Sequence, residues 1–144
     1  MTCSRAIRVD DAGARAFAAA RTLLGAPFRM QGRDAPTGLD CVGLVEVAYR
    51  IAGRPLIAPR GYPLRGWGAA RVVGAIEAAG FAAISDAPRA GDVALIAPGA
   101  GQWHLGLIGP DRVIHAHAGL RRVVEAPLDD RWRRAARWRL TTWG

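Results

Sequence analysis

The hydrophobic pattern of this chain changes period once, near Gly80, and that change limits the possible folds more than any other feature. Before it, apolar residues recur at helical spacing. Asp11 to Leu24 is alanine-rich and ends at Gly25-Ala26-Pro27, Cys41 to Ala52 carries one stripe through 41, 45, 48 and 52, and Ala69 to Ala79 repeats the pattern up to Gly80. After it come short runs of strand character: Phe81 to Ile84, Asp92 to Ala97, Trp103 to Ile108, Val113 to Ala118, Val123 to Ala126 and Arg137 to Thr142. Helices first and strands second specify an α+β domain with N-terminal helices packed on an antiparallel sheet. A chain of 144 residues with 51% hydrophobic content is expected to form one domain over 1–144, with a core that needs neither metal nor disulfide.

Composition removes several function classes. The longest apolar stretches, Phe17 to Ala20 and Val93 to Ala97, fall far short of the ~20 residues a membrane span needs. Arg5, Arg8, Asp10 and Asp11 stand where a secretory signal would be apolar, so the sequence predicts no signal peptide and synthesis in the cytoplasm. Cys3 and Cys41 make a poor disulfide framework and are expected to be free thiols. The net charge of +8 comes wholly from arginine, concentrated at Arg121, Arg122, Arg131, Arg133, Arg134, Arg137 and Arg139. That reads as a solvated or partner-facing surface. No helix-turn-helix, zinc-finger or RNP pattern accompanies it, so specific nucleic-acid binding is not expected.

The chemistry lies in two places. Asp40-Cys41 puts a cysteine in the first turn of a helix behind a residue suited to cap it, where unpaired N–H groups and the helix dipole favour a thiolate. The same N–H groups suit the oxyanion of a tetrahedral intermediate. All three histidines, His104, His115 and His117, fall within fourteen residues far downstream. A single cysteine with remote histidines is the sequence form of a thiol hydrolase.

Gly109-Pro110-Asp111-Arg112 is a turn sequence that pairs the runs on either side as a hairpin. With Pro110 and Asp111 central, Ile108 faces Val113, Gly106 faces His115, and His104 faces His117, so all three histidines share one face. Packing that face on the Cys41 helix is expected to bring an imidazole to the thiol as a thiolate–imidazolium pair, oriented by a second imidazole. The plainer readings are an inert buried cysteine and structural histidines. A zinc site from Cys41, His104, His115 and His117 is the rival constellation, but close ligand pairs such as Cys-x-x-Cys are lacking and no metal is expected. Gly53 to Gly68, rich in proline and glycine, reads as a surface loop, with a rim or lid over a cleft as the alternative.

Asp40-Cys41-Val42-Gly43-Leu44-Val45 resembles the Asp-Cys-Ser-Gly-Leu-Val hallmark of the NlpC/P60 family of cell-wall peptidases. Gly25-Ala26-Pro27-Phe28 is similar to its Gly-x-Pro-Tyr segment, Gly91-Asp92-Val93 to its Gly-Asp strand, His104-Leu105-Gly106-Leu107 to its His-x-Gly-Ile segment, and Ile114-His115-Ala116 to its Ile-His-Ala segment. The likeness runs in order from about Ala19 to the C-terminus.

The resemblance implies a papain-like α+β domain with Cys41 as nucleophile, His104 as general base and acid, and His115 as the orienting residue, although the hairpin register favours His117 in that last place. It implies no cofactor, and as substrate the stem peptides of peptidoglycan, often at a D-γ-glutamyl bond to a diamino acid. Phe28 and Val42 depart from the family's tyrosine and serine, positions that with Asp40 help bind the substrate's free amino end. The run from Gly109 to Ala116 and the arginine–tryptophan tail from Trp132 to Trp138 are similar to the branch associated with phage tails and gene-transfer agents, which implies tail or baseplate proteins as partners and action at the cell wall. Two other readings stay open: a structural tail or hub component whose site has drifted, and a cysteine amidase or acyltransferase acting on a non-wall substrate.

Overall fold

The first helix begins where the sequence supplies a cap: the Asp11 carboxylate accepts from the Ala14 N–H at 3.3 Å, and α1 runs Ala12–Arg21. Its small buried face of Ala12, Ala16, Ala19 and Ala20 lets it pack closely on α2, Cys41–Ile51. Every residue of α2 from Cys41 to Tyr49 is buried. A helix apolar on nearly all sides must be enclosed by other elements, and α2 lies between α1 and the sheet. The computed structural model describes residues 11–62, 68–98 and 102–141. Cys3, the charged N-terminus and part of the Gly53 to Gly68 connection lie outside the described residues.

Two short elements precede α2 in what the sequence reads as a loop: β1, Arg33–Asp34, and β2, Gly38–Leu39, pair antiparallel. Two residues carry no readable period. After α2 come α3, Ala69–Ala78, then β3, Phe81–Ile84; β4, Asp92–Ile96; β5, His104–Ile108; β6, Arg112–His117; β7, Arg122–Pro127; a one-turn helix α4, Asp130–Arg134; and β8, Ala136–Leu140. The six strands from β3 onward are those expected, with bounds within two residues. They form one antiparallel sheet in the order β3-β8-β4-β5-β6-β7. Helices on an antiparallel sheet make this an α+β, papain-like domain.

Charge explains why the last strand enters the middle of the sheet. Asp92, fully buried at the start of β4, accepts from Arg137 Nη1 at 2.9 Å and from Arg139 Nε at 2.8 Å, both on β8. Removing Asp92 leaves the buried Arg137 without its carboxylate, a loss of roughly 3–5 kcal/mol. Arg137 and Arg139 therefore do not belong to the solvated arginine surface expected from composition: Arg137 is buried and Arg139 partly so.

The two faces of the sheet differ. Leu105 and Leu107 of β5, with Ile114 and Ala116 of β6, join the main core under the helices. Ile108 and Val113 face the other way, into a small cluster with Ile96, Leu128 and Trp132. By alternation His104, Gly106, His115 and His117 lie on this second side. The sequence expectation of one shared face holds, but that face is the one covered by Trp132 of α4, not by the Cys41 helix.

Candidate functional site

Asp40 organises the start of α2. One percent exposed, it caps the helix by accepting from the Gly43 N–H at 2.8 Å and also accepts from the Gln31 N–H at 2.8 Å, Arg33 Nη1 at 3.3 Å and the Tyr62 hydroxyl. Four donors occupy the acceptor sites of its two oxygens. Arg33 extends the network to Glu46 at 2.7 Å and to the Pro59 carbonyl at 3.0 Å. Asp40 thus joins the 31–39 hairpin, the helix and the segment that carries Tyr62. Tyr62 is itself buried, so that segment is more than the surface loop its proline and glycine content suggests.

Gly43 is required by the same packing. A Cβ there would lie 2.0 Å from the Gly32 carbonyl oxygen, so only glycine lets the hairpin rest on the helix.

Cys41 follows this anchored cap in the first turn of α2 as a free thiol, 3% exposed. Burial pushes its pKa up to about 12; the backbone N–H of Leu105 opposes that, Asp40 adds to it, and the N–H groups of Val42 and Cys41 oppose it. The sulfur therefore sits against the N–H of the residue next to His104. The donors expected to favour a thiolate are present, but desolvation outweighs them.

His104 and His115 are joined directly, with His104 Nε2 at 2.8 Å from His115 Nδ1. The turn register is as the sequence predicts, Ile108 opposite Val113, but the β5–β6 pairing extends only to Leu107 and Ile114. Beyond it the Trp132 indole occupies the space over Gly106, where a Cβ would approach it to 2.7 Å. The diagonal pair His104–His115 then meets in place of His104 and His117. His117 lies on the far side of His115, ring centroids 5.4 Å apart, and its Nδ1 accepts from the Leu120 N–H at 3.0 Å, which leaves the hydrogen of the neutral ring on Nε2.

Burial first, then the neighbouring histidines and Arg131, lower the pKa of His104 to about 3. Burial, then His117 and Arg131, lower that of His115 to about 4, with Asp129 opposing. Burial thus favours the neutral thiol and imidazoles, against the ion pair expected from the sequence.

The three histidines line an open cleft of about 290 Å³ with Trp103, Gln102 and Arg131. Cys41, Asp40, Phe28 and Val42 do not line it. Val42 faces a separate apolar pocket of about 50 Å³ between α2, α3 and the sheet, with Trp103 as a shared wall. Phe28 is half-buried against the core, and its N–H donates to the Arg121 carbonyl at 2.9 Å. A tyrosine hydroxyl nevertheless reaches Asp40, supplied by Tyr62 rather than by position 28. Among the described residues no group of three or more His, Cys, Asp and Glu side chains is arranged to hold a metal ion. Arg33, Tyr62, Arg131 and Trp132 had no signal as site residues in the sequence, since they lie in a two-residue strand, a loop or a single helical turn.

The NlpC/P60 family profile matches residues 25–138. No curated protein matches the sequence significantly. Among solved structures, the chain is similar to the NlpC/p60 domain of the peptidoglycan hydrolase SagA, with TM-score 0.60 and 25% identity over 90% of this chain and 98% of that one. It is similar in fold to NlpC1 from Trichomonas vaginalis, with TM-score 0.65 and 21% identity over 89% of this chain and 43% of that one. An NLP/P60-family protein from Staphylococcus aureus subsp. aureus Mu50 gives TM-score 0.62 and 21% identity over 91% and 42%. The chain thus spans nearly the whole SagA domain but less than half of the other two. A family match over residues 25–138, on an architecture shared with these structures, makes the chain a member of the NlpC/P60 family of hydrolases.

Proposed function

We propose that this chain is a cysteine endopeptidase that hydrolyses the stem peptides of peptidoglycan at a D-γ-glutamyl bond to a diamino acid. The observation that carries the reading is the His104 Nε2 to His115 Nδ1 contact, one residue from the backbone N–H that meets the Cys41 thiol. With the shared hydrogen on His104 Nε2, His115 accepts it and His104 Nδ1 is left as the base. Cys41 Sγ attacks the carbonyl carbon as its proton passes to His104 Nδ1. The C–N bond then breaks, the amine leaves with that proton, and water hydrolyses the thioester with His104 as base. His115 orients the ring, and the N–H groups around the sulfur are suited to the oxyanion.

The arginine-rich surface suits a substrate with carboxylates. We place the protein, made in the cytoplasm, in a phage-like tail that acts at the cell wall, with tail or baseplate proteins as partners, on the sequence likeness of the Gly109 to Ala116 run. One observation favours a second reading, a structural tail component whose site has drifted: the thiol is buried and stays outside the histidine cleft. Digestion of muropeptides of defined stem composition by the native chain and by Cys41→Ala divides the two. New amine ends that depend on Cys41 are expected; none from any stem type defeats the peptidase.

A further inference from the structure

The cleft holds a cation that the catalytic scheme does not use. Trp132 is buried, with its ring 5.8 Å from that of His104 and 5.3 Å from that of His115, and it seats α4 over Gly106. Arg131, the preceding residue, is thereby placed in the wall of the histidine cleft. Among the described residues lining that cleft it is the one arginine, and no aspartate or glutamate is among them.

The nearby carboxylates are engaged elsewhere: Asp129 accepts from the Trp132 N–H at 3.1 Å, and Asp130 lies 3.7 Å from Arg134. Arginines that pack on the fold are paired, Arg33 with Asp40 and Glu46, Arg112 with Glu125, and Arg137 with Asp92. Among the described residues Arg131 has no carboxylate within ion-pair distance. An exposed guanidinium fork on a helix seated by Trp132, in the wall of a cleft that no described carboxylate lines, matches a planar carboxylate in a bidentate pair.

We propose that Arg131 is a specificity-determining residue that binds a carboxylate of the substrate in the histidine cleft. The inference rests on the proposed peptidase for its choice of peptide. It also gives the cleft a second property. Arg131 is one of the groups that depress the proton affinity of His104 and His115, so a carboxylate seated on it offsets that effect when His104 must accept the thiol proton.

The test uses two stem peptides that differ only in a free carboxylate or a carboxamide on the diamino acid. Their affinities are measured for Cys41→Ala and for Cys41→Ala with Arg131→Gln, and their turnover for the native chain and for Arg131→Gln. The free acid is expected to bind about tenfold more tightly than the amide, the size of one charge-assisted contact at a partly exposed site. Arg131→Gln is expected to abolish that preference, with the larger loss of affinity falling on the free acid. Equal affinity for the two peptides, a preference that survives Arg131→Gln, an equal loss on both, or binding of neither overturns the proposal. A preference that Arg131→Gln erases, without turnover by the native chain, leaves the carboxylate site standing and removes the peptidase reading instead.

Discussion

His104 Nε2 stands 2.8 Å from His115 Nδ1, a ring-to-ring hydrogen bond between two half-buried side chains on β5 and β6. If that bond fixes the tautomer that keeps His104 Nδ1 basic, its loss acts on kcat more than on KM. His115→Ala is expected to lower kcat on a cleavable stem peptide by roughly 10²-fold, within the range general-base catalysis supplies. His115→Asn, whose amide oxygen can accept the same hydrogen, should recover part of it. Steady-state kinetics check this, and an unchanged kcat in His115→Ala removes His115 from the mechanism.

Alkylation kinetics test the protonation state of the thiol. With its pKa raised to about 12 by burial, Cys41 in the free protein is protonated at neutral pH. Its iodoacetamide reaction should be slower than that of an unperturbed thiol at pH ~7 and keep rising well above pH ~8.5, where a free thiol levels off. A plateau reached below pH ~7 would show the ion pair instead.

The lowered histidine pKa values carry a stability consequence of definite sign. His104 remains neutral in the folded state down to about 3, whereas in the unfolded chain it binds a proton below about 6.5. Acid therefore favours the unfolded state: stability is intact above pH ~6.5 and falls as pH drops toward 3. Between pH 7 and pH 5 the loss is about 2 kcal/mol from this one group. His104→Gln should shrink that pH dependence by a similar amount in urea unfolding.

Asp40 and Tyr62 share a buried hydrogen bond that anchors the nucleophile's helix. Tyr62→Phe is expected to cost about 1–2 kcal/mol, and Asp40→Ala more, about 3 kcal/mol or above, because it uncaps α2 and leaves Arg33 with Glu46 alone. Thermal or denaturant unfolding measures both. Equal, negligible losses would mean that the Asp40 network does not hold the helix start.

Gly106→Ala forces a methyl group against the Trp132 ring and Val113. Overpacking of this kind costs about 1–3 kcal/mol. Trp132→Leu alone opens a gap, but in the double variant the Gly106→Ala cost should largely vanish, a coupling readable from a double-mutant cycle.

The sequence alone determined three helices and the six strands of the main sheet, in their order along the chain, because each of those runs repeats a period that only one secondary structure can bury, whereas β1, β2 and α4 are too short to show one. It also determined the Asp40 cap ahead of Cys41, a local hydrogen bond three residues long, and the Ile108–Val113 register, which the turn residues impose. Tertiary structure decided what depends on contacts between distant segments. It placed β8 between β3 and β4 through Arg137, Arg139 and Asp92. It filled the space over Gly106 with Trp132, so that His104 meets His115 rather than His117. Tyr62 reached Asp40 from a loop with no periodic signal, and burial reversed the charge state that a helix N-terminus would favour for Cys41. Local rules act over one turn of chain; desolvation and side-chain pairing are set by whatever the whole fold brings near.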